Sequence, residues 1–268
     1  MDIAGKVFVV TGGGNGIGRE VVLGLLARGA RVAAVDLSTD GLAGTAASAG
    51  AAGERLSRHT VDISERTAVE ALPAAVIAAH GQVDGLLNVA GVIQRFVPFA
   101  DLEHRDIEKV MAVNFWGVVH MTRAFLTHLT DRRQAALVNV SSMGAFVPVP
   151  GQSVYGASKA AVMLLTEGLY AELRGTSVAV TVVFPGGVAT LIAENSGASI
   201  PGMDEKAAES AGSLTSPADA ARQIIEGMEK GRFRVVIGRD ARALDLLSRL
   251  SPRRATDLVA KKMASLLG

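Results

Sequence analysis

Lys6-Val7-Phe8-Val9-Val10 runs directly into Thr11-Gly12-Gly13-Gly14-Asn15-Gly16-Ile17-Gly18-Arg19-Glu20, and that junction narrows the choice of fold sharply. Continuous rather than alternating apolarity is what a strand covered on both faces requires. The glycines allow a tight reversal and a close backbone approach to a ligand. The N-terminus of the helix that follows offers free N–H groups and a partial positive charge. A glycine turn in this setting, after a buried strand and before a helix, suits a pyrophosphate, with Gly12, Asn15, Gly16, Ile17 and Gly18 as the contact residues.

The same logic extends along the chain. Further strand-like runs occur at 32–35, 56–61, 86–87, 135–138, 178–183 and 233–237. Helical spacing fills 16–28, 40–49, 65–79, 102–113, 115–130, 152–174 and 217–230. Strand and helix in alternation predict an α/β fold: a three-layer, doubly wound parallel sheet of about seven strands, the Rossmann type. No repeat, low-complexity tract or Pro/Ser-rich linker divides the chain, so residues 1–268 read as one domain. Residues 188–215 have no strand signal and many small residues, which suggests a substrate lid. Residues 239–268 read as a helical tail interrupted by Pro252.

The second strand ends at Val35-Asp36-Leu37. An acid there suits both ribose hydroxyls of an adenosine and repels a 2′-phosphate. Neither position 15 nor position 37 supplies a cation to neutralise that phosphate, which favours NAD over NADP. Asp36 also has a plainer use, as a helix N-cap.

Composition closes several alternatives. Apolar residues make up 49% of the chain, charged residues 20%, and the mean hydropathy is +0.32. Two charge-free stretches, Gln134–Ser158 and Gly175–Ala193, are broken by polar residues, prolines and glycines, so neither fits a membrane span. Met1–Lys6 lacks the cationic and apolar regions of a signal peptide, and a cytoplasmic location is the expectation. The absence of cysteine excludes disulfides, a thiol nucleophile and Cys-based metal sites. The net charge of +1 gives no electrostatic case for a nucleic-acid partner. The five histidines (59, 80, 104, 120, 128) show no ligand spacing, so no metal is expected, and the lone Trp116 reads as helix packing.

One of only two tyrosines lies in Tyr155-Gly156-Ala157-Ser158-Lys159. Positions i and i+4 share a helix face, so phenol and ammonium converge there, and a cation nearby lowers a tyrosine pKa toward the working range of acid–base catalysis. Ser142, thirteen residues earlier and just past the run at 135–140, offers a hydroxyl to a substrate oxygen. The spacing selects it over the adjacent Ser141.

With these residues in view the chain resembles the short-chain dehydrogenase/reductase family in its single-domain form, over about residues 3–238. Thr11-Gly-Gly-Gly-Asn-Gly-Ile-Gly18 matches the cofactor motif TGxxxGxG. Asp62-Ile63 looks like the adenine-contacting pair. Asn88-Val89-Ala90-Gly91 is similar to NNAG, with Val in place of the second Asn. Pro185-Gly186-Gly187-Val188-Ala189-Thr190 looks like the motif that binds the nicotinamide carboxamide. The resemblance implies a catalytic set of Asn114, Ser142, Tyr155 and Lys159. Tyr155 would be the acid/base, Lys159 would lower its pKa and bind the nicotinamide ribose, Ser142 would hold the reacting oxygen, and Asn114 would position a water in a proton relay. Asp36, Leu37, Asp62, Ile63, Asn88, Ala90, Gly91, Pro185, Gly186, Val188 and Thr190 would join the glycine turn in holding the cofactor. A homodimer or homotetramer built on the helices of Asn114 and Tyr155 is also implied.

Apolar loops at 92–96 and 143–147, with Leu191, Ile192, Ile200 and Met203 in the lid, favour a hydrophobic alcohol or ketone as substrate. Arg95 reads either as a solvated cation or as a partner for a substrate anion. The tail carries seven Arg or Lys against three Asp. Its leucines suggest amphipathic helices that pack on their own or a neighbouring subunit, in preference to peripheral contact with an anionic membrane.

Overall fold

A computed structural model describes residues 1–198 and 214–264. The apolar runs form strands β1 (Val7–Thr11), β2 (Arg31–Asp36), β3 (Leu56–Thr60), β4 (Gly85–Asn88), β5 (Ala135–Val140), β6 (Val178–Pro185) and β7 (Arg234–Ile237). All pair in parallel, in the order β3-β2-β1-β4-β5-β6-β7. The chain winds outward from β1 to β3, then returns to the other side of β1 to begin β4. Between β1 and β4 the direction of winding reverses, which opens a crevice at the strands' C-terminal ends.

Period-two alternation explains why the inner strands are apolar on both faces, whereas edge strand β3, Leu-Ser-Arg-His-Thr, is mostly polar and partly exposed. Phe8, Val10, Val32, Ala34, Leu87 and Val138 face one layer of helices, α1 (Gly16–Ala27), α2 (Thr39–Ala49) and α8 (Pro217–Glu229). Val7, Val9, Ala33, Val35, Leu86 and Leu137 face the other, where α3 (Arg66–His80) and α5 (Gly117–Thr130) pack with Val76, Met121 and Phe125. Two apolar faces per strand demand the three layers.

Three segments differ from the expectation. The break between helices near residue 114 does not exist as such: α4 (His104–Met111) continues through a π turn, Ala112–Trp116, into α5. Trp116 is half exposed, stacked on His120 rather than packed in the core. The lid segment contains a short helix, α7 (Ile192–Ser196), and a bridge between Val188 and Thr215; Ile200 and Met203 lie outside the described residues.

The tail forms α9 (Arg239–Leu250) and α10 (Pro252–Lys262), parted at Ser251 where Pro252 opens a new first turn. It folds back on its own chain, with Ala255 and Val259 buried against Val147 and flanked by Phe146, Val149, Leu244 and Leu247. Leu266 and Leu267 lie outside the described residues. Among the described residues no helix is long and apolar enough to cross a membrane.

Candidate active site

A cavity of about 570 Å³ opens at the C-terminal ends of β1, β2 and β4. Gly12, Asn15, Gly16, Ile17, Gly18, Asp36, Leu37, Asp62, Ile63, Ala90, Gly91 and Thr190 line it. The turn is built to bring backbones together. Gly12 has φ +71°, and a Cβ there would lie 3.0 Å from the Ala90 Cα. At Gly18 a Cβ would overlap the Gly12 carbonyl, so only glycine permits the first turn of α1 to fold under the loop. Asn15 caps α1, its Oδ1 accepting from the Gly16 N–H at 2.7 Å. Arg19 reaches back to the Gly14 carbonyl at 2.6 Å, and Thr45 donates to that of Gly13 at 2.8 Å. Thr11 Oγ1 accepts from the backbone of Val89 and Ala90, locking the end of β1 to that of β4. Neither Thr45 nor this use of Thr11 is visible in the sequence, because both contacts cross between strands or layers.

Asp36 is not a helix cap. Ser38 takes that role for α2, while Asp36 Oδ2 accepts from the Gly14 N–H and Oδ1 from the Ser38 N–H, both at 2.9 Å. The carboxylate therefore stands on the cavity wall. Asn88 turns away from the cavity: its Nδ2 donates to Asn139 Oδ1 at 2.8 Å, tying β4 to β5. Of the Pro185–Thr190 segment, Thr190 lines the cavity, close to Gly16, while Pro185, Gly186 and Val188 do not line it.

The other cluster sits beside the cavity, just past the end of β5, on the π turn and on α6 (Ser153–Glu172). Asn114 is fully buried. Its Oδ1 accepts from the Val92 N–H at 2.8 Å, and its Nδ2 donates to the Val92 carbonyl at 2.9 Å and to Ser158 Oγ at 3.0 Å. The π turn is what aims this side chain inward, a deformation that occurs disproportionately at functional sites. Ser158 in turn donates to the Tyr155 carbonyl at 2.7 Å. Lys159 Nζ donates to the Val140 carbonyl at 3.1 Å and stands 5.9 Å from the Tyr155 ring centroid. A Cβ on Gly91 would come within 3.0 Å of that Nζ and 3.3 Å of Asn114 Oδ1, so glycine is what admits the ammonium here. Ser142 accepts from the Gly144 N–H at 3.1 Å, and its hydroxyl is near enough to the Tyr155 phenol to lower its pKa. Ser141 is spent on the Lys159 carbonyl at 2.7 Å.

Electrostatics differ in one respect from the expectation. Burial pushes the Tyr155 phenol up, and the Ser142 hydrogen bond pulls it only partly back. Burial also brings Lys159 down to about 8, because its ammonium is stripped of water. A depressed tyrosine is thus not produced by the Tyr155–Lys159 pair alone.

Around Tyr155 the surroundings are apolar. It packs against two small buried clusters, Ile93 with Ala193 and Ala198, joined by Phe96 and Ile192, and Leu102 with Val110 and Val154, joined by Val92. Gln94 and Gln152 are buried here and were not anticipated. Gln94 Oε1 accepts from the Tyr155 N–H at 2.9 Å and Gln152 donates to the Gln94 carbonyl at 2.7 Å. Arg95 points outward into ion pairs with Glu103 at 3.1 Å and Asp106 at 3.0 Å. No cluster of metal-ligating side chains occurs among the described residues.

A nicotinamide dinucleotide fits these features. Backbone N–H groups and a helix N-terminus suit its pyrophosphate, a wall carboxylate suits a ribose, and a cavity of this size suits a large ligand.

Comparison with known proteins agrees. The family model for short chain dehydrogenase matches residues 6–200. The putative oxidoreductase SadH of Mycobacterium tuberculosis is 40% identical over 265 residues, covering 97% of this chain and 96% of that protein. The structure of a short-chain dehydrogenase/reductase from Burkholderia phymatum in complex with NAD superposes with a TM-score of 0.82 at 28% identity, covering 93% and 94% of the two chains. A 3-ketoacyl-(acyl-carrier-protein) reductase from Brucella melitensis complexed with NADH gives 0.78 at 26% identity, covering 88% and 97%. The chain belongs to the short-chain dehydrogenase family and is an NAD(P)-dependent oxidoreductase.

Proposed function

We propose that the protein interconverts a secondary alcohol and a ketone with NAD as the hydride carrier. The observation that carries this reading is the convergence of Asn114, Ser142, Tyr155 and Lys159 beside a cavity whose wall bears the Asp36 carboxylate. When bound, the nicotinamide supplies the hydride chemistry, accepting hydride from the alcohol carbon or returning it to the ketone. The chain's own residues manage the proton. Tyr155 takes the hydroxyl proton as a phenolate during oxidation and returns it during reduction. Ser142 holds the reacting oxygen through its hydroxyl. Lys159, held by the Val140 carbonyl, favours the phenolate when charged and binds the nicotinamide ribose, and Asn114 holds a water in the proton relay.

The glycine turn and the N-terminus of α1 receive the pyrophosphate. Asp36 takes the adenosine ribose and disfavours a 2′-phosphate, with Leu37 beside it offering no cation. Asp62, Ile63, Ala90 and Gly91 flank the adenine and ribose side, and Pro185–Thr190 receives the carboxamide. The apolar packing around Tyr155 supports a hydrophobic substrate. Exposed Trp116 on the π turn and Leu164 on α6 support a homo-oligomer through these helices. The chain reads as one cytoplasmic domain.

A panel of apolar secondary alcohols with NAD and NADP, followed by reduced-cofactor absorbance at several pH values, tests the reading. Turnover with NAD at least tenfold more efficient than with NADP is the expected result, as the loss of one well-placed polar contact predicts. Binding of NAD without turnover across the panel would favour a non-catalytic dinucleotide-binding regulator, and a preference for NADPH would favour a carbonyl reductase.

A further inference from the structure

The Pro185–Thr190 loop is held mostly by backbone. The Gly186 N–H donates to the Ile237 carbonyl at 2.8 Å, the Ala189 N–H to that of Thr215 at 3.0 Å, and the Thr215 N–H to that of Gly187 at 2.9 Å. One bond is different. The Gly187 N–H donates at 2.8 Å to Oδ2 of Asp240, in the first turn of α9. The glycines around this carboxylate leave it room: a Cβ on Gly186 or on Gly238 would overlap it, and one on Gly187 would lie 3.7 Å away. Asp240 also favours the N-terminus of α9 by its charge, but that role needs neither the bond to Gly187 nor the clearance at Gly186. Asp240 lies well past residue 200, where the match to the family model ends.

We propose that Asp240 is a positioning residue for the nicotinamide side of the cofactor site. By fixing the Gly187 N–H through a charge-assisted bond, it sets the backbone that leads into Val188 and Thr190. The tail that begins at Arg239 is thereby tied to the loop. This rests on the reading that Pro185–Thr190 receives the carboxamide.

The test measures equilibrium binding of NAD and of ADP-ribose, which lacks the nicotinamide, by titration calorimetry on the full chain. For Asp240→Ala the NAD dissociation constant should rise roughly tenfold, the loss of one hydrogen bond to a charged group, with ADP-ribose unchanged. Asp240→Asn keeps an acceptor oxygen and should restore most of the NAD affinity. Gly186→Ala, which pushes the carboxylate aside, should weaken NAD alone in the native background and do so much less in the Asp240→Ala background. Thr190→Val serves as the control on the loop itself. If Thr190→Val weakens NAD selectively while Asp240→Ala leaves it unchanged, the Asp240 role is overturned and the loop reading stands. Equal loss of both ligands in Asp240→Ala means a general structural role and also overturns it. If Thr190→Val and both loop-directed variants spare NAD, the carboxamide reading itself is wrong.

Discussion

Asp36 and Gly14 meet across the turn of the cofactor cavity, the carboxylate accepting the backbone N–H at 2.9 Å. The contact holds the acid at the cavity wall and couples the glycine turn to the end of β2. Asp36→Ala removes both this bond and the carboxylate that the proposed function assigns to the adenosine ribose. NAD should bind about tenfold more weakly and NADP more tightly than in the native protein, by the usual worth of a charged hydrogen bond. Titration with each dinucleotide reads the change directly, and unchanged preference would count against the ribose assignment.

Tyr155→Phe removes the proposed proton carrier and leaves the ring in its apolar surroundings. Turnover should fall by about 10²–10⁴-fold, the range for one acid–base group, while NADH affinity and thermal stability stay near native. Because burial raises the phenol's pKa, alcohol oxidation, which needs phenolate, should accelerate into the alkaline range. Ketone reduction, which needs the phenol protonated, should hold its rate at neutral pH. Steady-state pH profiles in both directions check the sign.

Lys159 is a cation kept at a cost. Its folded-state pKa of about 8 lies below the ordinary 10.5, so between those values the unfolded chain binds more protons and stability rises with pH. Below pH 8 the penalty is fully present. Lys159→Met should therefore be more stable than the native protein at pH 7, by on the order of 3 kcal/mol, and should lose the alkaline rise in stability. It should also be inactive. Urea unfolding at pH 7 and pH 10 distinguishes this from ordinary core damage, which would lower stability at both.

Asn114 satisfies both backbone groups of Val92 from inside the π turn. Asn114→Ala leaves the part-buried Val92 N–H and carbonyl without these partners, at about 1–3 kcal/mol. Chemical denaturation should show that loss together with weakened activity. An equally stable variant would mean the π turn is held by packing alone.

A second pH effect lies at the sheet edge. Ser57 on β3 bridges Nε2 of His59 at 2.7 Å and of His80, at the end of α3, at 2.8 Å. Burial lowers both histidine pKa values, and for His80 the neighbouring His59 and Arg31 add to it. Groups with lowered folded values bind fewer protons folded than unfolded, so their contribution is present above about pH 6.5 and is lost as the pH falls below it. Thermal melts from pH 7.5 to pH 5 should show this decline, and His80→Gln should flatten it.

Contiguous residues carried most of the fold and much of the site. Val7–Val10 announces a two-sided strand, Gly12–Gly18 a turn that only glycines make, and Tyr155 with Lys159 one helix face. Each of these signals is local, because periodicity and left-handed backbone needs are written within a few residues. The choice of Ser142 over Ser141 also follows from spacing; in the structure the Ser142 hydroxyl is near enough to the Tyr155 phenol to lower its pKa, while Ser141 donates to the Lys159 carbonyl.

Elsewhere local signals misled or were silent. Asp36 followed by a helix suits a cap equally well, and only the crossover from β1 to β2 brings Gly14 to it. Asn114 reads as a helix boundary, yet the chain runs through it, since the π turn is stabilised by Val92, 22 residues away. Asn88, part of a recognisable motif, is used to join β4 to β5.

By itself, then, the sequence determined the α/β class and the parallel order of strands along the chain, and it pointed to the glycine turn and to Ser142, Tyr155 and Lys159 as the residues on which the proposed function rests. Tertiary structure alone decided which polar atoms meet: Asp36 with Gly14, Asn114 with Val92, and Asp240 with Gly187 across 53 residues. Backbone preference is a property of neighbours in the chain. A hydrogen bond depends on ångström-scale placement by elements that meet only when the two apolar faces of the sheet are covered.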